Sequence, residues 1–177
     1  MKDLSPINFV EGSGFKDLMA FCEPGYNMPG RTFFTAKLET MQAELKDSLK
    51  ATLASTKFVA VTSDIWTSAT NESYILVTVQ YISNSWFWVL CNRVLAVMSI
   101  EDRHIGDNIV KWLLDVVAQY DLSPSKVSAT VHDNGSNMVA AAKKLEALHG
   151  WSSVRCVART IQLVVNVVQQ SVSTLCL

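Results

Sequence analysis

Lys57 to Trp66 reads K-F-V-A-V-T-S-D-I-W, and Lys126 to Met138 reads K-V-S-A-T-V-H-D-N-G-S-N-M. Each is a run of β-forming residues that delivers an aspartate at its end. Strand side chains alternate, so Phe58, Ala60, Thr62 and Asp64 are expected on one face of the first strand. Val127, Ala129, Val131 and Asp133 are expected on one face of the second. If the two strands are neighbours in register, both carboxylates emerge on one side of a sheet at one edge. Hard cations such as Mg²⁺ or Mn²⁺ select carboxylate oxygens, and phosphoryl-transfer enzymes hold two of them roughly 4 Å apart. Asp64 and Asp133 are thus the candidate metal ligands. The competing reading is that each aspartate caps a turn or a helix.

Working outward, Tyr74 to Ile82 and Trp86 to Met98 are dense in β-branched and aromatic residues, with Ser83-Asn84-Ser85 as a turn between them. Ile105, Ile109, Trp112, Leu113, Val116, Val117 and Tyr120 recur at helical spacing, and Leu122 to Ser125, with Pro124, ends that helix. A helix is expected from Ser136 to Leu148, a short strand over Val154 to Val157, and a last helix from Arg159. The order is therefore β-β-β-α-β-α-β-α, an α/β fold. Upstream, residues 1–56 read as an accessory segment with a short helix at Phe15 to Cys22 and an amphipathic helix over 36–55. Its stripe is Leu38, Met41, Leu45, Leu49 and Leu53, expected to pack on the core rather than on a partner helix.

Five blocks along this order carry a family resemblance. Pro24-Gly25-Tyr26 with Pro29-Gly30-Arg31 resembles a P-x-Y-x-x-P-S-R segment, and Ser63-Asp64-Ile65-Trp66-Thr67-Ser68 resembles T-x-D-x-W-T-S. His104 with Ile105 to Ile109 resembles H-T-x-x-N-I, Asp133 to Met138 resembles D-N-x-x-N-M, and Arg155-Cys156-Val157-Ala158 resembles the start of R-C-x-A-H-x-L-x-L. In these blocks the chain is similar to the hAT-type transposases and their domesticated relatives, the zinc-finger BED domain-containing proteins. The resemblance implies a ribonuclease H-like mixed sheet over 57–177. It also implies that Asp64 and Asp133 correspond to the two aspartates which, with a distant glutamate, hold divalent metal for DNA strand cleavage and joining.

The chain departs from that pattern at three points. Its only acidic residue after Asp133 is Glu146, at a helix position unlike that of the third acid, and the expectation is a core incomplete at its C-terminus. Arg159 stands where the pattern has histidine, which leaves Cys156 without its usual neighbour. No C-x-x-C or H-x₃₋₅-H spacing occurs, so no zinc finger is expected.

Composition fits a buried sheet: of 177 residues 49% are hydrophobic and 18% charged, below the roughly 25% usual in globular domains. A net charge of −1 offers no electrostatic case for nucleic acid, so DNA contact is expected through regions outside this chain. Four scattered cysteines without framework spacing read as reduced thiols in a cytosolic or nuclear compartment. No secretory signal or membrane span is expected. The stretch from Val157 to Val168 is amphipathic, with Arg159, Gln162, Asn166, Gln169 and Ser173 polar and Ile161, Val164, Val165 and Val168 left to bury, a face expected to pack against downstream segments in a longer protein.

His132 precedes Asp133 and so faces the other side of its strand, reading as a partly buried polar residue ahead of a ligand or base. His104 reads as a cap or loop contact. Trp66 and Trp86-Phe87-Trp88 could stack on unpaired bases, but their place in or beside strands favours packing. Two functions remain. One is a nuclear, transposase-derived protein acting in DNA-associated regulation or dimerisation, with a homodimer as candidate assembly and no strand transfer by residues 1–177. The alternative is part of an active transposase using an Asp-Asp-Glu site.

Overall fold

Val and Thr side chains that suit a pleated surface make Val59–Thr67 a strand, β1, and Ser73–Ile82 and Leu90–Ile100 follow as β2 and β3. The computed structural model describes residues 6–83, 88–101 and 105–175, without the side chains of 167–175. The chain forms two units, Met1–Leu49 and Lys50–Leu177.

In the first unit a 3-10 turn, Ile7–Glu11, leads into helix α1, Ser13–Cys22, and the rings of Phe9 and Phe15 meet at 4.7 Å. Helix α2, Arg31–Ser55, starts earlier than its apolar stripe suggests, because the Glu11 carboxylate accepts the Arg31 backbone N–H at 3.2 Å and fixes the first turn. Of the expected stripe only Leu53 is buried; Leu38, Met41 and Leu45 are exposed.

The second unit is a five-stranded mixed sheet in the order β3-β2-β1-β4-β5, where β4 is Val127–His132 and β5 is Ser152–Arg155. Strands β1, β2 and β3 form an antiparallel meander, whereas β4 runs parallel to β1 and β5 parallel to β4. Helices α3 (Gly106–Gln119), α4 (Ser136–His149) and α5 (Val157–Leu175) complete the expected element order. A mixed sheet with these helices is the ribonuclease H-like arrangement anticipated from the sequence. Strand β3 begins at Leu90 rather than Trp86; Trp86, Phe87 and His104 lie outside the described residues. Trp88 is 86% exposed, so the packing expected of it is absent from the core.

One face of the sheet carries the core. Val59 and Val61 of β1, and Ile75, Val77, Val79 and Tyr81 of β2, are buried together with Ile109, Leu113, Val116 and Val117 of α3 and Ala141 and Leu145 of α4. Helices α3 and α4 approach closely at Gly106, where a Cβ would stand 3.3 Å from that of Ala140. Helix α4 stops at Gly150, whose positive φ of 74° suits glycine and lets its N–H reach the Glu146 carbonyl at 2.9 Å. Trp151 follows, fully buried, its Nε1–H donating to the Pro124 carbonyl at 2.8 Å. Lys126 donates to the carbonyls of Ala54 at 2.7 Å and Leu53 at 3.3 Å, closing the end of α2. On the opposite face Val94, Val97 and Val154 remain exposed.

Two bulges adjust this sheet. Between β2 and β3, Thr78 pairs with Val94 and Val77 with Ala96, so Leu95 is the extra residue; it turns into the core and its carbonyl accepts the Tyr120 hydroxyl at 2.7 Å. Between β1 and β4, Val59 pairs with Val127 and Ala60 with Ala129, leaving Ser128 as the extra residue, its hydroxyl returned to the Val59 carbonyl at 3.0 Å. Among the described residues no helix is long and apolar enough to cross a membrane. On α5, Ile161, Val164 and Val165 are exposed, with Ile161 at 58%, because no described element covers them. The Val168 side chain lies outside the description.

Candidate metal centre

The Ser128 bulge decides which side chain of β4 meets Asp64. Unbroken pairing from Val59 opposite Val127 would set Asp64 across from His132. The extra residue advances β4 by one, so that Thr62 pairs with Val131, and two residues beyond that pair stand Asp64 and Asp133. The register thus places the two aspartates singled out in the sequence side by side at one edge of adjacent parallel strands. It also corrects the face expected for Val127. That side chain is buried with Val59, and the run sharing a face with Asp133 begins only at Ala129, after the bulge.

Asp64 is exposed, on the sheet face opposite the core. The same face carries a polar row in which Thr62 donates to Gln80 Oε1 at 3.0 Å, and Gln80 Nε2 donates to Thr78 Oγ1 at 2.9 Å and Asn92 Oδ1 at 3.4 Å. Further along, Trp66 stacks on Tyr74 at 5.6 Å and 19°, rather than entering the core. The Tyr74 hydroxyl donates to Glu72 at 2.6 Å, and that bond to a carboxylate raises the Tyr74 pKa.

Asp133 is the first residue past β4 and is half-buried. Its Oδ1 accepts the Gly135 N–H at 2.9 Å, so the turn reading of this aspartate is realised in part. Among the described residues Oδ2 accepts no hydrogen bond. Gly135 is required for close approach: a Cβ there would stand 3.0 Å from Asp133 Oδ1. Helix α4 begins at Ser136, so the carboxylate sits where the helix N-terminus favours negative charge.

Behind the carboxylate, His132 is 1% exposed and uses both ring nitrogens. Nδ1 lies 2.6 Å from the Asp133 carbonyl oxygen and Nε2 lies 3.0 Å from Ser153 Oγ. The sequence placed His132 on the inner face correctly; its grip on the Asp133 main chain has no signature in the alternation pattern. The Cys156 N–H donates to the His132 carbonyl at 2.7 Å. Asn134 Nδ2 donates to Thr160 Oγ1 at 3.3 Å, and the Thr160 hydroxyl in turn donates to the Cys156 carbonyl at 2.9 Å. Because that hydroxyl proton is committed, Thr160 faces Asn134 as an acceptor. Asn134 Oδ1 is buried with no partner among the described residues.

Two carboxylates at a sheet edge are the hard oxygen donors that Mg²⁺ and Mn²⁺ accept, the remaining octahedral positions being left to water. Glu146 does not join them: it is exposed on α4, about 15 Å along the axis from the turn that starts the helix. Among the described residues no group of three or more His, Cys, Asp or Glu side chains converges on a metal position. Arg159 lies on the exposed side of α5, donating to Gln162 at 2.9 Å.

With this geometry the comparisons agree. Residues 62–158, more than half of the chain and including both aspartates, match the family model described as the ZBED1 RNase-like domain. The chain is 24% identical to a putative AC transposase of Zea mays, over 90% of its own length and 21% of that protein. It is 27% identical to zinc finger BED domain-containing protein 6 of Homo sapiens, over 94% of its own length and 18% of that protein. To zinc finger BED domain-containing protein 4 of Homo sapiens it is 28% identical, over 93% and 14% respectively. The chain spans about a fifth or less of the length of these relatives. A mixed sheet with Asp64 and Asp133 at one edge, and a family match covering both, place this transposase-derived chain in the ZBED1 RNase-like domain family, among the hAT-type transposases and their BED relatives.

Proposed function

We propose that the chain serves a transposase-derived nuclear protein in DNA-associated regulation or dimerisation, and that residues 1–177 do not themselves cleave or join DNA. The observation that carries this reading is the register that places Asp64 beside Asp133 at the edge of β1 and β4 while Glu146, the one acid after Asp133 in residues 1–177, sits about three turns away along α4. In-line displacement at a phosphodiester is helped most by metal ions clamping both attacking and leaving oxygens, and among the described residues no third acid joins the two aspartates. Asp64 and Asp133 retain the capacity to hold one Mg²⁺ or Mn²⁺, which when bound would supply Lewis-acid chemistry at a phosphoryl oxygen. The net charge of −1 points to DNA contact through parts of a longer protein outside these residues.

The second reading, part of an active Asp-Asp-Glu transposase, is favoured by the bulge-adjusted register that keeps Asp64 beside Asp133. A strand-cleavage assay with labelled duplex and flap DNA in Mn²⁺ separates the two. The first reading expects no metal-dependent product. Product formation that disappears in Asp64→Asn would establish the second. Location is tested by imaging the tagged chain in cells: exclusion from the nucleus refutes a nuclear role.

A further inference from the structure

We propose that His132 is the positioning residue of the Asp133 carboxylate, acting through its Nδ1–H bond to the Asp133 carbonyl. The inference rests on the reading of Asp64 and Asp133 as a metal pair and adds to it a device that sets where one ligand stands.

The geometry is specific. A carbonyl oxygen only accepts, so the 2.6 Å contact requires the proton on Nδ1, and Nε2 then meets a hydroxyl, Ser153 Oγ, at 3.0 Å. The ring is 1% exposed, so neither bond is exchanged for water and its rotamer is held by packing. Ser153 belongs to β5, so the ring is anchored to the neighbouring strand through Nε2, while the main-chain carbonyl of His132 is held by the Cys156 N–H just past that strand at 2.7 Å. The consequence falls on one short segment. Asp133 lies past the last ladder pair, His132 with Arg155, where a strand-to-helix turn is otherwise free to vary. Fixing its carbonyl fixes the peptide plane that aims the side chain, and the Gly135 N–H then holds Oδ1 at 2.9 Å. Partners behind a metal ligand typically account for 10–100-fold in metal affinity.

Two substitutions separate positioning from core filling. In His132→Asn the amide Nδ2 is two bonds from Cβ, as Nδ1 is, and can keep the bond to the Asp133 carbonyl. In His132→Gln the amide lies three bonds out, as Nε2 does, and can keep only the Ser153 contact. Mn²⁺ affinity is measured by calorimetry, and exchange of the Gly135 amide is measured by NMR without metal. The proposal expects His132→Gln to weaken Mn²⁺ binding about tenfold and to speed Gly135 exchange several-fold. His132→Asn should stay within about twofold of wild type in both, because the anchoring donor is retained. Equal behaviour of the two variants in Gly135 exchange would overturn it. Asp133→Asn distinguishes the layers: unchanged Mn²⁺ affinity there defeats the metal reading, while Gly135 exchange still decides the role of His132. Should His132→Gln not fold, the wild-type Nδ1 proton decides, an exchange-protected resonance supporting the proposal and a solvent-averaged one refuting it.

Discussion

Replacing Trp151 tests how the second unit is held together. The side chain is fully buried, its indole N–H bonds the Pro124 carbonyl at 2.8 Å, and its ring lies 6.0 Å from that of His149. Removing a buried Trp side chain down to Ala costs about 3–5 kcal/mol through lost transfer energy and an unfilled cavity. Trp151→Phe keeps most of the ring volume and leaves the Pro124 carbonyl with the Val127 N–H alone, a loss of about 1 kcal/mol. An unfolding entropy of about 2.1 cal/mol/K per residue gives a unit spanning Lys50–Leu177 roughly 0.27 kcal/mol/K. Trp151→Ala should then lower its Tm by about 15 °C, and Trp151→Phe by about 4 °C. Urea unfolding and thermal melts followed by circular dichroism measure both. A loss below about 1.5 kcal/mol in the alanine variant would refute the enclosed position of the ring and, with it, the anchoring of β5 through Trp151.

Lys126→Met removes the ammonium that closes the end of α2 at the Leu53 and Ala54 carbonyls; about 1–2 kcal/mol of stability should be lost, read as a lower urea midpoint at constant slope. Burial raises the Tyr120 and Tyr81 hydroxyls above their ordinary pKa of 10.0. A phenol whose folded pKa is raised stabilises the fold below pH 10 and loses that contribution as pH rises past it. Stability should therefore fall above pH 10, less steeply in Tyr120→Phe, which also loses about 1 kcal/mol at neutral pH with its bond to Leu95. Gly135→Ala must displace the Asp133 carboxylate, 3.0 Å from the new Cβ. Because a less flexible unfolded chain offsets the lost turn bond, its stability should change by less than about 1 kcal/mol while Mn²⁺ affinity falls several-fold; an unchanged affinity would mean that this carboxylate is not a ligand.

The sheet was legible because its strands are short runs of β-branched residues ending in turn signals, and Asp-Asn-Gly after β4 marks its boundary directly. Period-two alternation carried Asp64 and Ala129 to the correct face, but it has no way to register an extra residue. Ser128 therefore went unseen, and Val127 was assigned to the outer face although it is buried. The amphipathic stripe of α5 was legible as an apolar face, but hydrophobic periodicity reports only what a helix can bury, and Ile161, Val164 and Val165 are exposed. The metal pair was legible as two separate aspartates; what joins them is β1–β4 pairing, a long-range contact that the sequence supplies only as a condition.

That pairing also governs the order in which the molecule can form. Strand β1 meets β2 through a tight turn but must wait for β4, which follows β2, β3 and α3 in the chain. At about 5–20 residues per second, β4 leaves the ribosome several seconds after β1, and during that interval the meander exposes the unpaired edge of a Val-rich strand. Such an edge recruits other strands. A nascent or shortened chain that ends before Val127 is thus the aggregation-prone species of this protein, and the arrival of Val127–His132 seals that edge in the same step that sets Asp133 beside Asp64.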